Sequence, residues 1–136
     1  MTEMMSFFQQ YQDHLSLDES KIQQLVELGE EIGEDVLGQL TDVHVQATDE
    51  LVRELPILYQ QQRFDELVRV AHKFKSSCGN LGLTKLHYLC ADFEKELSRF
   101  IKIKSFDRRV IQNFVDCITY EVKSTTQQLQ SRKKAS

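Results

Sequence analysis

Ala71-His72-Lys73-Phe74-Lys75-Ser76-Ser77-Cys78-Gly79-Asn80-Leu81-Gly82 is the stretch on which the reading of this chain turns. Together with residues just upstream, its apolar members recur at helical spacing: Phe64, Leu67, Ala71, Phe74, Cys78 and Leu81. Such a repeat builds one buried stripe on a helix. His72 lies off the centre of that stripe and shares its face with Val68, Lys75, Ser76 and Gly79. The pattern therefore places a histidine on an exposed helix face, with small residues and a cation one turn away. An imidazole so placed is within reach of a large partner as well as a small molecule.

The same periodicity extends outward in both directions. Gly79-Asn80-Leu81-Gly82 is a helix stop, with Gly82 suited to a positive φ. The following helix is expected from about Leu83 to Lys102, with Leu86, Leu89, Cys90, Phe93, Leu97 and Phe100 inward. Ser105 is the expected cap of a last helix that buries Val110, Phe114, Cys117, Ile118 and Val122. Upstream, Gln60 to Arg63 reads as a polar connection. It follows a long helix carrying Leu37, Leu40, Val43, Ala47, Leu51, Leu55 and Leu58 inward. Pro56 falls inside that pattern and should kink the helix or end it about one turn early. Gly33-Glu34-Asp35 opens this helix with acids where the helix dipole favours them. Before it, Ser16-Leu17-Asp18-Glu19 has capping-box spacing, so a helix should start near Asp18, bury Ile22, Leu25 and Leu28, and end near Gly29. Met4 to Tyr11 reads as a short leading helix.

The expected fold is therefore all-α: an antiparallel up-down four-helix bundle with one or two short additional N-terminal helices. There is no internal repeat and no linker, so residues 1–136 read as one domain ending in a basic tail, 131–136, around Arg132-Lys133-Lys134. The 136 residues include five glycines, one proline and no tryptophan, which suits long helices.

Composition narrows the function. With 17 basic and 21 acidic residues the net charge is −4, which argues against a nucleic-acid binder. Three cysteines without CxxC spacing read as reduced thiols of a cytoplasmic protein. Met1 to Gln10 lacks the basic and apolar regions of a signal peptide. No segment approaches the roughly 18 apolar residues of a membrane span. There is no Gly-rich nucleotide loop and no P-loop lysine.

The chemistry concentrates on His72. A nucleophilic imidazole needs clearance to meet an electrophile carried by another protein, and Ser76 and Gly79 supply it. Lys75, three residues on, can offset the charge of a phosphoryl group on the ring. His44 sits at a core-facing position beside Leu40, Ala47 and Leu51, as a packed, hydrogen-bonded histidine would. His87 and Cys90 stand three apart, but two ligands do not make a metal site. Arg99, Lys102, Lys104, Arg108 and Arg109 surround a helix turn and read as a solvated turn, with contact to an anionic partner the second reading.

The run from His72 to Gly82 resembles the histidine phosphotransfer (HPt) motif His-x-Leu-Lys-Gly-Ser-Ser-x-x-Leu-Gly. Resemblance continues through Leu86, Leu89, Cys90 and Phe93 to Glu94, and upstream to Leu17-Asp18 and Gly33 to Leu37. It spans a motif-bearing core of about 17–101. Phe74 stands for the motif leucine and Ser76 for the motif glycine; serine is still small, so close docking survives.

That resemblance implies a phosphorelay intermediate, not an enzyme with its own ATP site. His72 would accept a phosphoryl group from a receiver-domain aspartyl phosphate and pass it to another receiver. Lys75 matches the motif lysine that helps to hold the group. Glu94 falls where members of the family carry a polar residue that orients the imidazole. Along its helix His87, Ala91, Glu94 and Ser98 form a polar or small stripe. If that stripe faces His72, Glu94 accepts from Nδ1–H and leaves Nε2 free to attack. Val68, Ser76 and Gly79 would meet the partner. The implied partners are the receiver domains of a hybrid sensor kinase and of a response regulator, with no nucleic acid, no membrane and a monomeric chain. No intrinsic cofactor is implied; magnesium belongs to the receiver. The alternative is a non-catalytic helical adaptor that binds a receiver or kinase through the same face.

Overall fold

The computed structural model describes residues 2–132. Among them lie six α-helices and no strand: α1 (Glu3–Phe8), α2 (Glu19–Ile32), α3 (Val36–Gln60), α4 (Phe64–Asn80), α5 (Thr84–Ile103) and α6 (Arg108–Ser131). A 3₁₀ turn, Gln9–Tyr11, continues α1. Lys133 and Lys134 of the basic tail lie outside the described residues, whereas Arg132 pairs with Glu19 at the start of α2.

Pairwise packing closes a ring: α3 lies on α4, α4 on α5, α5 on α6 and α6 back on α3, with α2 against α3 and α1 against α6. Inside the ring Leu67, Phe74, Cys78, Leu86, Leu89, Phe93, Leu97, Ile118 and Val122 are buried. Each large apolar side chain taken from water contributes on the order of 2 kcal/mol. The stripes expected of α4 and α5 are the ones buried, with Phe64 only partly covered. Gly82 follows α4 at φ +72°, the left-handed region in which a side chain is strained.

Both serine caps are corrected. Asp18, not Ser16, caps α2, accepting from the backbone N–H groups of Ser20 and Lys21. Ser16 instead donates to Glu121 Oε1 at 2.7 Å, tying the N-terminal segment to α6. Asp107, not Ser105, caps α6, through the N–H groups of Arg109 and Val110. In both places an acid one residue before the helix outcompetes a serine three residues before it, because only the nearer oxygen reaches the N2 and N3 donors.

Helix α2 continues past Gly29 to Ile32, and Gly33, at φ +71°, forms its cap. Gly29 stays in the helix because the chain returns close beside it: a Cβ there would lie 2.5 Å from the Glu34 carbonyl oxygen. Leu28 is exposed, off the Ile22–Leu25–Gly29 face.

In α3 the buried stripe is Leu37, Thr41, His44, Thr48, Leu51, Leu55 and Leu58. Val43 is 65 % exposed, and Leu40 and Ala47 are only partly covered. Hydrophobicity alone selects the neighbouring stripe because three core positions of α3 carry polar side chains. Pro56 does not end α3, which runs through it to Gln60. Its ring is exposed, on the side away from Leu55 and Leu58.

Candidate functional site

Helices α4 and α5 build the site as a hairpin across Leu81 to Leu83. His72 meets Glu94, and farther along α4 Gly79 meets His87. As one residue number rises the other falls, so the two helices run antiparallel. Burying Leu67, Ala71, Phe74 and Cys78 turns the phase of His72 outward, and its side chain is 62 % exposed. Burying Leu86, Leu89, Cys90, Phe93 and Leu97 turns Glu94 toward α4 at the seam.

At that seam Glu94 holds two partners. Its Oε1 accepts from His72 Nδ1 at 2.8 Å, and its Oε2 accepts from Lys75 Nζ at 2.9 Å. Partial burial pushes the Glu94 carboxyl up, but the hydrogen bonds from Lys75 and His72 outweigh it, and the carboxyl sits below its ordinary value. Glu94 is thus an acceptor and His72 Nδ1 the donor, so the neutral form of the ring held this way has its lone pair on Nε2. An exposed imidazole with that tautomer is a nucleophile for an electrophile brought by another molecule.

Lys75 is not the free surface cation that its helical phase suggested. It is 24 % exposed and bonded to Glu94. Ser76 is exposed one turn from His72, its hydroxyl 3.5 Å from the His72 carbonyl. Val68 is half-buried on the same face. Gly79 is exposed, but the place of its missing side chain is flanked by His87.

His87 Nδ1 donates to the Lys75 carbonyl at 3.1 Å, a contact that sequence reasoning about metal pairs misses. The signal that could have found it is the stripe shared by His87 and Glu94. Cys90, its sequence neighbour, is buried with Cys78. Among the described residues no three His, Cys, Asp or Glu side chains cluster as metal ligands.

His44 is elsewhere. It is buried between α3 and α4, stacked on Phe74 and sharing a 3.2 Å hydrogen bond with Ser77 Oγ. Burial pushes it down to about 4. In the basic turn, Arg99 pairs with Glu96 and Arg109 with Glu3, while Lys102, Lys104 and Arg108 are exposed. On the other flank of α4 a groove of about 440 Å³ runs along α3, lined by Leu40, Val43, Ala47, Lys73, Phe74 and Ser77 among others.

Among the described residues no helix is long and apolar enough to cross a membrane. No curated protein and no solved structure gives a significant match to the chain. The family model described as Hpt domain matches residues 3–132, nearly the whole chain. Histidine phosphotransfer within phosphorelays is the activity of that family, whose members are intermediates that lack a kinase's ATP site. On a match of this extent, and with an all-helical structure around it, this chain belongs to the Hpt domain family.

Proposed function

We propose that His72 is the phosphoacceptor, taking a phosphoryl group from an aspartyl phosphate on one receiver domain and giving it to another. The observation that carries this reading is an exposed imidazole whose Nδ1 is held by Glu94 at 2.8 Å. The Nε2 lone pair attacks phosphorus, the bond from phosphorus to the aspartyl oxygen breaks, and the aspartate leaves as carboxylate. No proton need move. The ring gains positive character as the N–P bond forms, and the Glu94 carboxylate offsets it through Nδ1–H. Lys75, beside both, lowers the cost of bringing phosphoryl charge to the seam. Return transfer is the same path reversed.

The magnesium ion of such a transfer belongs to the receiver. A receiver covering His72 with a contact of about 800 Å² reaches across Val68 and Ser76, and past Lys73 toward the α3–α4 groove. We read the α3–α6 ring as an up-down four-helix core, and the protein as a cytoplasmic monomer without kinase activity. Its donor is a hybrid kinase receiver and its acceptor a response-regulator receiver.

The test is incubation with a phosphorylated receiver. Label should move to this protein, be lost in acid and kept in base, as a phosphoramidate is, and be absent from His72→Gln. ATP alone should give no label. Label retained by His72→Gln sinks the assignment. Stable receiver binding without transfer favours a non-catalytic adaptor instead.

A further inference from the structure

We propose that His87 is a positioning residue of the His72 site, and that residue 79 is glycine in order to admit the His87 ring. The inference rests on His72 as phosphoacceptor and adds to it a device that sets the spacing of the two helices.

Lys75 is gripped at both ends by α5. Its ammonium donates to Glu94 at 2.9 Å, and its backbone carbonyl accepts from His87 Nδ1 at 3.1 Å. His87 and Glu94 are seven residues apart, just under two helical turns, so they project from one face of α5. Two points on that face therefore hold one residue of α4. Together they fix both the axial position and the rotation of α5. A slip or rotation of α5 along the seam would misalign the His72–Glu94 contact.

Gly79 is one turn beyond Lys75. A Cβ there would lie 3.3 Å from His87 Nδ1 and 3.7 Å from Cε1, with no other atom within 4 Å apart from its chain neighbours and the backbone of α4 itself. Only His87 gains from the missing side chain. Glycine is less favourable than alanine in a helix, and the close ring contact gives that cost a purpose. Gly79 then serves the seam, not the partner.

The test uses the full chain with His87→Ala, His87→Gln, Gly79→Ala and the Gly79→Ala/His87→Ala pair, at a temperature where circular dichroism shows each folded. The first readout is the ¹⁵N ring shifts of His72, which report its tautomer without any partner. The second is the rate of phosphoryl transfer from a phosphorylated receiver. His87→Ala should reduce the Nδ1–H form of His72 and slow transfer about fivefold, whereas His87→Gln, which keeps a donor, should recover most of both. Gly79→Ala alone should give a smaller loss in the same direction and none once His87 is alanine.

Unchanged His72 ring shifts and transfer in His87→Ala would overturn the proposal. So would a Gly79→Ala defect that persists in the His87→Ala background, because it would place Gly79 at the receiver contact. A wild-type protein that fails to take label at His72 would sink the phosphoacceptor reading, while the ring shifts would still decide whether His87 positions His72.

Discussion

Lys75 and Glu94 form an ion pair across the α4–α5 seam, Nζ to Oε2 at 2.9 Å, with both side chains mostly shielded from water. The same carboxylate holds the His72 imidazole. The cation and the nucleophile thus share one counter-charge, and each substitution in the group acts on the other two members.

Lys75→Ala should slow transfer about tenfold, or about 1.4 kcal/mol, because the receiver supplies most of the catalytic charge. The substitution also removes a partly buried partner of Glu94, so it should lower stability by about 0.5–1 kcal/mol. Lys73→Ala is the control. Lys73 lines the α3 groove, about 100° around the helix from His72. Transfer assays beside chemical denaturation check both, and equal transfer defects would point to a general loss of positive field.

Glu94→Gln and Glu94→Ala should separate orientation from charge. Glutamine can still accept from Nδ1–H but no longer pairs with Lys75 as an anion. Alanine loses both functions. Transfer should fall in the order wild type, Gln, Ala, with Ala about tenfold below Gln if orientation dominates. The fraction of the His72 Nδ1–H tautomer, read by ¹⁵N shifts, should follow the same order. Equal rates for Gln and Ala would mean that the carboxylate's charge is what matters.

The fold is most legible where burial and hydrophobicity agree. α4 runs from Phe64 to Asn80 as its stripe demands, because its core positions are apolar. α3 defeats the same logic: Thr41, His44 and Thr48 take core positions while Val43 lies exposed. Polar side chains buried in a core are invisible to an apolar count. The geometry of the site is half legible. Helical phase brings Lys75 beside His72, but only the packing of α5 on α4 reveals that Glu94 claims Lys75 and that His87 takes its carbonyl. Those bonds join residues 19 and 12 positions apart, which no local spacing rule addresses.

Ser76→Trp should impair transfer without unfolding the bundle. Ser76 is exposed, one turn from His72, and makes only a long contact to the His72 carbonyl. An indole there occupies space that a docking receiver needs. The change in stability should stay within about 0.5 kcal/mol, as for other surface sites. A thermal melt beside the transfer rate tests this, and an unchanged rate would mean that the receiver does not approach over this face.

His44 should make stability depend on pH in a window that opens above that of the Glu94 carboxyl. Folding pushes His44 from an ordinary 6.5 down to about 4, because burial disfavours the charged ring. Between those values the unfolded chain binds a proton that the folded one refuses. Its contribution is therefore complete above pH 6.5 and is lost as pH falls toward 4, by at most on the order of 3 kcal/mol. Glu94, held below its ordinary 4.5, keeps its own contribution above that value and loses it as pH falls below, so pH 7 to 5 reads His44. Urea unfolding at pH 7, 6 and 5 should show the wild type weakening across this range. His44→Leu fills much of the same volume without a titrating group, and at pH 7 it is destabilised because Ser77 loses its partner. Its stability should nevertheless change less between pH 7 and 5. An equal slope in both proteins would assign the acid sensitivity to another group.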